Sequence, residues 1–245
     1  MIPFLLAAAT IFDTPGGDAA RFDACARLAK ADPAAAVTQA QDWAARSAEV
    51  PARHCLGLAL VAAERWTTAA ETFEAVAKDA EDKRDGRAAG LWSQGGNAAL
   101  AAGDPIRARN DVDRALALPT LTPPMRGEAW MDRARADVSL DDMPAGRTDL
   151  DEALKLVPQD PFAWLLSATL ARRQGQLTRA DTDIAEAVRL AGDDPAVMLE
   201  QGNIAWAAGR ADAARAAWTR TAQLAPASPE GKTAAAALAQ ARDGG

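Results

Sequence analysis

The chain has no tyrosine, one histidine and two cysteines among 245 residues, and β-branched residues are sparse. No apolar run approaches the roughly twenty residues that a membrane-spanning helix needs. Each shortage removes a class of function. With His54 alone, a multi-histidine metal site cannot be assembled, and its sequence neighbour Cys55 is no thiol–imidazole partner, because adjacent residues on a helix do not face each other. Basic residues are in deficit, 27 Lys and Arg against 34 Asp and Glu, for a net charge of −7, which excludes a general nucleic-acid binder. Phosphate loops are missing too. Gly95-Gly96 lacks the following Lys-Ser or Lys-Thr, and Gly231-Lys232-Thr233 has no glycine five residues earlier and no strand before it. The Asp-Asp pairs at 141–142 and 193–194 fall at element junctions, where aspartate serves turns and caps rather than acid–base chemistry. The expectation is therefore no catalysis, no cofactor and no metal, with an enzyme site lodged in a groove as the alternative from another class.

What is abundant is alanine, with Leu, Arg, Glu and Gln filling much of the rest, and this composition predicts an all-α protein. The pattern repeats. Asp160-Pro161 returns as Asp194-Pro195, and Trp164, Ala168, Gly175, Ala180, Ile184 and Ala187 answer to Met198, Gly202, Gly209, Ala214, Trp218 and Thr221, all thirty-four residues on. Extended backwards, the layout recurs from Trp130, Trp92 and Arg53, with the surplus residues falling in the charged run Lys78–Arg87 and the proline-bearing stretch Pro119–Pro124. The charged run reads as a solvated helix end or linker. The predicted organisation is a degenerate hairpin at 18–48, repeats near 51–81, 89–119, 126–158, 160–192 and 194–226, and a cap at 229–242, all in one array.

Within each unit a bulky residue precedes a small one by four positions, a turn residue comes seven later, and small, large and small residues then space the second helix. On these residues, in five units from Arg53 to Pro226, the chain resembles tetratricopeptide repeat proteins. Departures are Arg53 in place of an aromatic, Gly95-Gly96 within a helix, and Gly146 where Ala is usual, which suggests looser packing in those units. The resemblance implies an α-solenoid, a right-handed superhelix of antiparallel helix hairpins closed by a C-terminal capping helix. It also implies a non-catalytic protein-interaction scaffold that binds a peptide or protein partner in its concave groove.

Helical spacing assigns that groove to Ser93, Asn97 and Leu100, then Met131, Arg135 and Val138, then Leu165, Thr169, Arg172 and Arg173, then Leu199, Asn203 and Trp206. Asn97, Arg135, Thr169 and Asn203 hold one equivalent place and form a polar ladder suited to the backbone of an extended peptide. Arg172 and Arg173 beside Arg135 are candidates for holding a carboxylate, the alternative being solvated helix faces. Six of the seven tryptophans take packing positions, and Trp206 is assigned to the groove.

At the N-terminus, Ile2–Phe12 is an apolar run rich in small residues, with Ala7-Ala8-Ala9 ahead of Asp13 to Gly17, and it reads as a weak or truncated signal peptide within an N-terminal segment at 1–17. Cys25 and Cys55 fall on first helices of neighbouring units and are candidates for a disulfide, the alternative being two buried thiols. Together these place the protein in a periplasmic or otherwise exported setting, with a cytoplasmic adaptor carrying reduced cysteines as the alternative.

Overall fold

The computed structural model describes residues 17–243; the run Ile2–Phe12, and the signal-peptide expectation placed on it, lie outside the described residues. Within them the backbone forms thirteen helices and no strand. The chain divides into two compact units, residues 1–125 and 126–245. The first holds α1 (Gly17–Ala31), α2 (Pro33–Arg46), α3 (Val50–Ala62), α4 (Trp66–Asp82), α5 (Ala88–Ala101) and α6 (Pro105–Ala117). The second holds α7 (Pro123–Ser139), which begins just before the boundary, then α8 (Met143–Leu156), α9 (Pro161–Arg173), α10 (Leu177–Ala191), α11 (Pro195–Ala207), α12 (Ala211–Leu224) and α13 (Pro229–Asp243). In the first unit each helix packs on the next, and α1 also reaches α3. In the second, α9 packs against both α10 and α11, and α13 covers α11 and α12.

Local chemistry sets the helix ends. Asp32, Asp104, Asp142, Asp160 and Asp194 each accept a backbone N–H of the turn they open, from Ala35, Arg107, Ala145, Phe162, and both Ala196 and Val197. A proline in the first turn completes each start, where its missing N–H costs nothing, and a cap of this kind is worth about 1 kcal/mol. Inside the hairpins the chain reverses through one left-handed residue: Glu64 (φ 55°), Gly103 (76°), Asp141 (64°), Gly175 (72°) or Gly209 (75°). The next N–H then donates back to a carbonyl five residues earlier, Arg65 to Leu60, Asp104 to Ala99, Asp142 to Asp137, Gln176 to Ala171 and Arg210 to Ala205. These bonds satisfy carbonyls that the helix end would otherwise leave open.

Between paired helices, small residues admit large ones. A Cβ on Gly57 would lie 2.5 Å from the Phe73 ring, and one on Gly202 would lie 2.4 Å from the Trp218 ring. Ala134 against Leu150 and Ala168 against Ile184 fill the same register with a methyl and a smaller partner. The looser packing suggested for the glycine-bearing units is not what is found. A Cβ on Gly96 would meet Val112 at 2.5 Å and the Ala108 carbonyl at 3.0 Å, and one on Gly146 would meet Val138 at 2.9 Å, so glycine marks closer approach there.

Two further expectations are corrected. The charged run is only in part solvated: α4 extends to Asp82, Asp79 pairs with Arg53, and Glu81 accepts the Trp92 indole N–H at 2.9 Å and meets Arg114 at 3.5 Å. The alternative of solvated helix faces, set against a carboxylate-holding role for Arg172 and Arg173, does not hold for Arg172, which pairs with Glu200. Many arginines reach across helices, as Arg107 does to Glu74 (3.0 Å) and Arg210 to Asp181 (2.9 Å). A guanidinium on a long stem spans the gap between helices and offers several donors at its end.

In the first unit Cys25 and Cys55 are bonded, with Cα atoms 6.0 Å apart, tying α1 to α3. Beside them His54 packs 4.8 Å from the Phe22 ring and donates from Nε2 to Gln94 Oε1 at 2.8 Å. Burial pushes the imidazole below its ordinary value; the Gln94 bond works the other way and Arg87 adds a smaller push down. The folded state thus resists a proton that the unfolded chain takes up below about pH 6.5, so the His54 contribution to stability falls on acidification through that value. On going from about pH 7.5 to 5.5 the thermal midpoint of His54→Gln should rise relative to that of wild type; a constant difference between the two would contradict this role for His54.

Candidate functional site

The second unit carries the candidate site. Helices α7 and α9 flank a cavity of about 240 Å³. Its apolar lining comes from Ala134 and Val138 of α7, Leu150 of α8, and Leu166 and Leu170 of α9; its polar lining is Arg135, Ser139, Thr169 and Arg173. Residues four apart along one helix face project together, so α7 contributes Arg135 with Ser139 and α9 contributes Thr169 with Arg173. Arg135, Val138, Thr169 and Arg173, all assigned to the groove by spacing, therefore meet around one cavity.

Their charges are not equally available. Arg135 donates from Nη1 to Asp132 at 2.9 Å, and its carbonyl accepts the Ser139 hydroxyl at 2.8 Å. Arg172, one residue before Arg173, is turned away. Its Nε donates to Glu200 of α11 at 2.6 Å and its Nη2 to the other carboxylate oxygen at 3.2 Å. Glu200 is buried, so Arg172 is the counter-charge of a carboxylate that has little water around it. Arg173 is exposed and has no hydrogen bond or ion pair among the described residues. Of the arginines at the site, it is the one with all its donors open.

The remaining assigned residues scatter. Met131 and Leu165 are buried in hydrophobic clusters of the second unit and present little surface. Leu199 packs against the cluster that α11, α12 and α13 enclose. Asn203 is committed within the chain, donating to Glu200 at 3.1 Å and accepting the Trp218 indole N–H at 3.1 Å. Trp206 stays 46% exposed, with its ring 5.6 Å from Trp218. In the first unit Ser93 is half-buried and Asn97 is exposed on α5. Spacing missed Leu166 and Ser139, which line the cavity, and Asp132 and Glu200, which hold two of the assigned arginines. The available signal was an acidic residue at a place that turns inward, as Glu200 does two residues before Gly202.

Among the described residues no three His, Cys, Asp or Glu side chains cluster as a metal site, and no helix is long and apolar enough to cross a membrane. A family model for the tetratricopeptide repeat matches residues 94–161 and 165–231, more than half of the chain. The chain belongs to the tetratricopeptide repeat family. Its fold is accordingly an all-α solenoid of that type, with α13 as the capping helix. A comparison with curated proteins gives no match. Among solved structures the chain is similar to PilW, described as a widely conserved type IV pilus biogenesis factor, with TM-score 0.71, 21% identity, and coverage of 86% of this chain and 97% of that one. It is also similar to PilF of Pseudomonas aeruginosa (TM-score 0.69, 16% identity, 90% and 99% covered). A third is YrrB, described as a tetratricopeptide protein with an unusual peptide-binding site (TM-score 0.55, 14% identity, 76% and 91% covered). At these identities the likeness is one of fold. Tetratricopeptide repeats generally serve as non-catalytic scaffolds, and the α7–α9 cavity offers a shaped apolar slot with one open cation.

Proposed function

We propose that this protein is a non-catalytic interaction scaffold whose α7–α9 groove holds an extended peptide segment of a partner protein, with an aliphatic side chain in the cavity and a carboxylate on Arg173. The observation that carries this reading is the convergence of Arg135, Thr169 and the open Arg173 on one apolar cavity of about 240 Å³. An aliphatic side chain gains by leaving water, and a guanidinium fork takes a carboxylate with two parallel bonds. Thr169 supplies a hydroxyl for the peptide backbone.

Peptides of defined sequence, pairing an aliphatic residue with a nearby Asp, Glu or terminal carboxylate, test this by fluorescence anisotropy. Arg173→Glu should weaken binding about tenfold or more, since a hydrogen bond to a charged group contributes roughly 1.5–3 kcal/mol. Amidated or Asn/Gln versions of the peptides should lose a similar factor against wild type. Equal binding by wild type and Arg173→Glu would overturn the assignment. Arg172 is unsuited to such a test, because its removal strands Glu200.

The bonded Cys25 and Cys55 favour an exported, envelope setting, as does the likeness in fold to a pilus biogenesis factor. Thiol titration of denatured, unreduced protein recovered from its native compartment should find no free thiol; two would support the cytoplasmic adaptor instead.

A further inference from the structure

Three hairpins place an aspartate at the same register on their second helix, Asp111, Asp149 and Asp183, and all three are buried, 4%, 2% and 5% exposed. Two have partners waiting on the first helix. Asp149 accepts from Arg133 at 2.7 and 2.8 Å, and Asp183 accepts the Ser167 hydroxyl and the Arg179 guanidinium at 3.2 Å. The position that carries Arg133 and Ser167 is held by Gly95 opposite Asp111. There is no side chain to donate, and little room for one: a Cβ on Gly95 would lie 3.0 Å from Asp111 Oδ2 and 3.5 Å from the Phe73 Cβ. Asp111 Oδ2 is buried without a hydrogen-bond partner.

The side chain that lies beside Asp111 is another carboxyl, Glu74 of α4, which lines the same surface pocket. From its own helix Asp104 and Arg107 act on it, and α5 presents Gly95, with no charge. Arg107 Nε bonds Glu74 at 3.0 Å, and reaches Asp104 at 3.9 Å and Glu71 at 4.0 Å. Asp111 is buried, and a second carboxyl beside it disfavours its charged form further, so it keeps a proton. Arg107 bonds Glu74 rather than Asp111, which leaves the buried Asp111 as the carboxyl that holds the proton.

We propose that Asp111 and Glu74 share one proton that acts as the tie between hairpin α3–α4 and hairpin α5–α6, so that the first unit tightens where the proton is held and loosens as it is removed. Burial, followed by the Glu74 charge and the bond between the two groups, pushes Asp111 up to about 8. An aspartate in the unfolded chain titrates near 3.9. Between about pH 4 and 8 the folded state therefore binds more protons than the unfolded chain, and stability falls as pH rises through that window, levelling above it. This is opposite in sign to the usual effect of a salt-bridged carboxylate. The His54 contribution lies below about pH 6.5, so the range above it isolates the pair.

The test is a series of thermal midpoints of the full chain from about pH 6.5 to 9. Wild type should lose several degrees, and Asp111→Asn, which keeps the shape and cannot ionise, should lose far less and equal or exceed wild type at the alkaline end. Glu74→Gln should lessen the slope, because it removes the opposing charge. Carbon-detected NMR titration of wild type gives a measurement independent of any variant: one Asp side-chain carboxyl should stay protonated at pH 6.5 and titrate near 8. A flat wild-type profile, a slope that survives in Asp111→Asn, or a spectrum with every Asp carboxyl ionised at pH 6.5 would overturn the proposal.

Discussion

Replacing the Cys25–Cys55 bond by two alanines, or reducing it, is expected to lower the stability of the first unit by about 3.5 kcal/mol on the chain-entropy estimate for a loop of this length. The bond spans thirty residues, closing α1, α2 and the start of α3 into one loop. What α1 has besides it is slight: Cys25 and Ala29 are the only residues that helix buries fully. By contrast α2 buries Ala36, Val37, Ala40 and Trp43. Loss of the bond should therefore act unevenly. Hydrogen exchange should show α1 losing protection most, α2 less, and α5 and α6 little, because the packing of α5 on α4 and of α6 on α5 does not depend on the loop. Denaturant curves read by probes in each unit should show the first unit's midpoint falling while that of the second stays. An unchanged midpoint after verified reduction would show that packing alone holds α1.

The second large effect is expected in the other unit. Arg133→Ala should cost roughly 3 kcal/mol, because it removes the partner of a buried charge. Asp149 keeps only 3% of its side-chain surface and receives both bonds of a bidentate pair from Arg133, whose guanidinium also lies 4.4 Å over the Trp130 ring. Burial decides the size of the effect. The Arg189–Glu186 pair has side chains 55% and 40% exposed, and cutting an exposed pair of that kind costs about 0.5 kcal/mol or less. The double variant Arg133→Leu with Asp149→Leu should recover most of the loss, since two apolar groups leave no charge stranded. Chemical denaturation of the two single variants and the double variant measures this directly. If Arg133→Ala falls within about 0.5 kcal/mol of wild type, water must reach Asp149 far better than its surroundings indicate.

The three buried acids also show how the same register is used differently along the chain. Asp149 faces an arginine, Asp183 a serine, and Asp111 a glycine, and the physical consequences are an ion pair, a hydroxyl bond and a retained proton. Each aspartate is equally visible in the sequence. What differs is the residue sixteen positions earlier on the facing helix, which becomes meaningful once the two helices are known to touch there.

The site divides in the same way. Arg135, Arg172 and Arg173 follow from one spacing rule and look alike as a row of cations near a groove. In the folded chain one is held by Asp132, one is consumed by Glu200 twenty-eight residues on, and Arg173 alone keeps its donors open. Met131 and Leu165 satisfy the same spacing but lie in the core, because the face of a first helix that this spacing selects also packs on neighbouring first helices, as α9 does on α11.

The amino-acid sequence by itself determined the helical hairpins, their caps and turns, and the pairing of small with large residues. These are local properties, set by periods of 3.6 residues, by Asp-Pro starts and by a left-handed turn residue, and they recur every thirty-four to thirty-nine positions. Only the tertiary structure decided which charges remain open to a ligand. A guanidinium reaches far enough to choose among carboxylates on several helices, and that choice depends on side-chain separations between hairpins, which no period along the chain encodes.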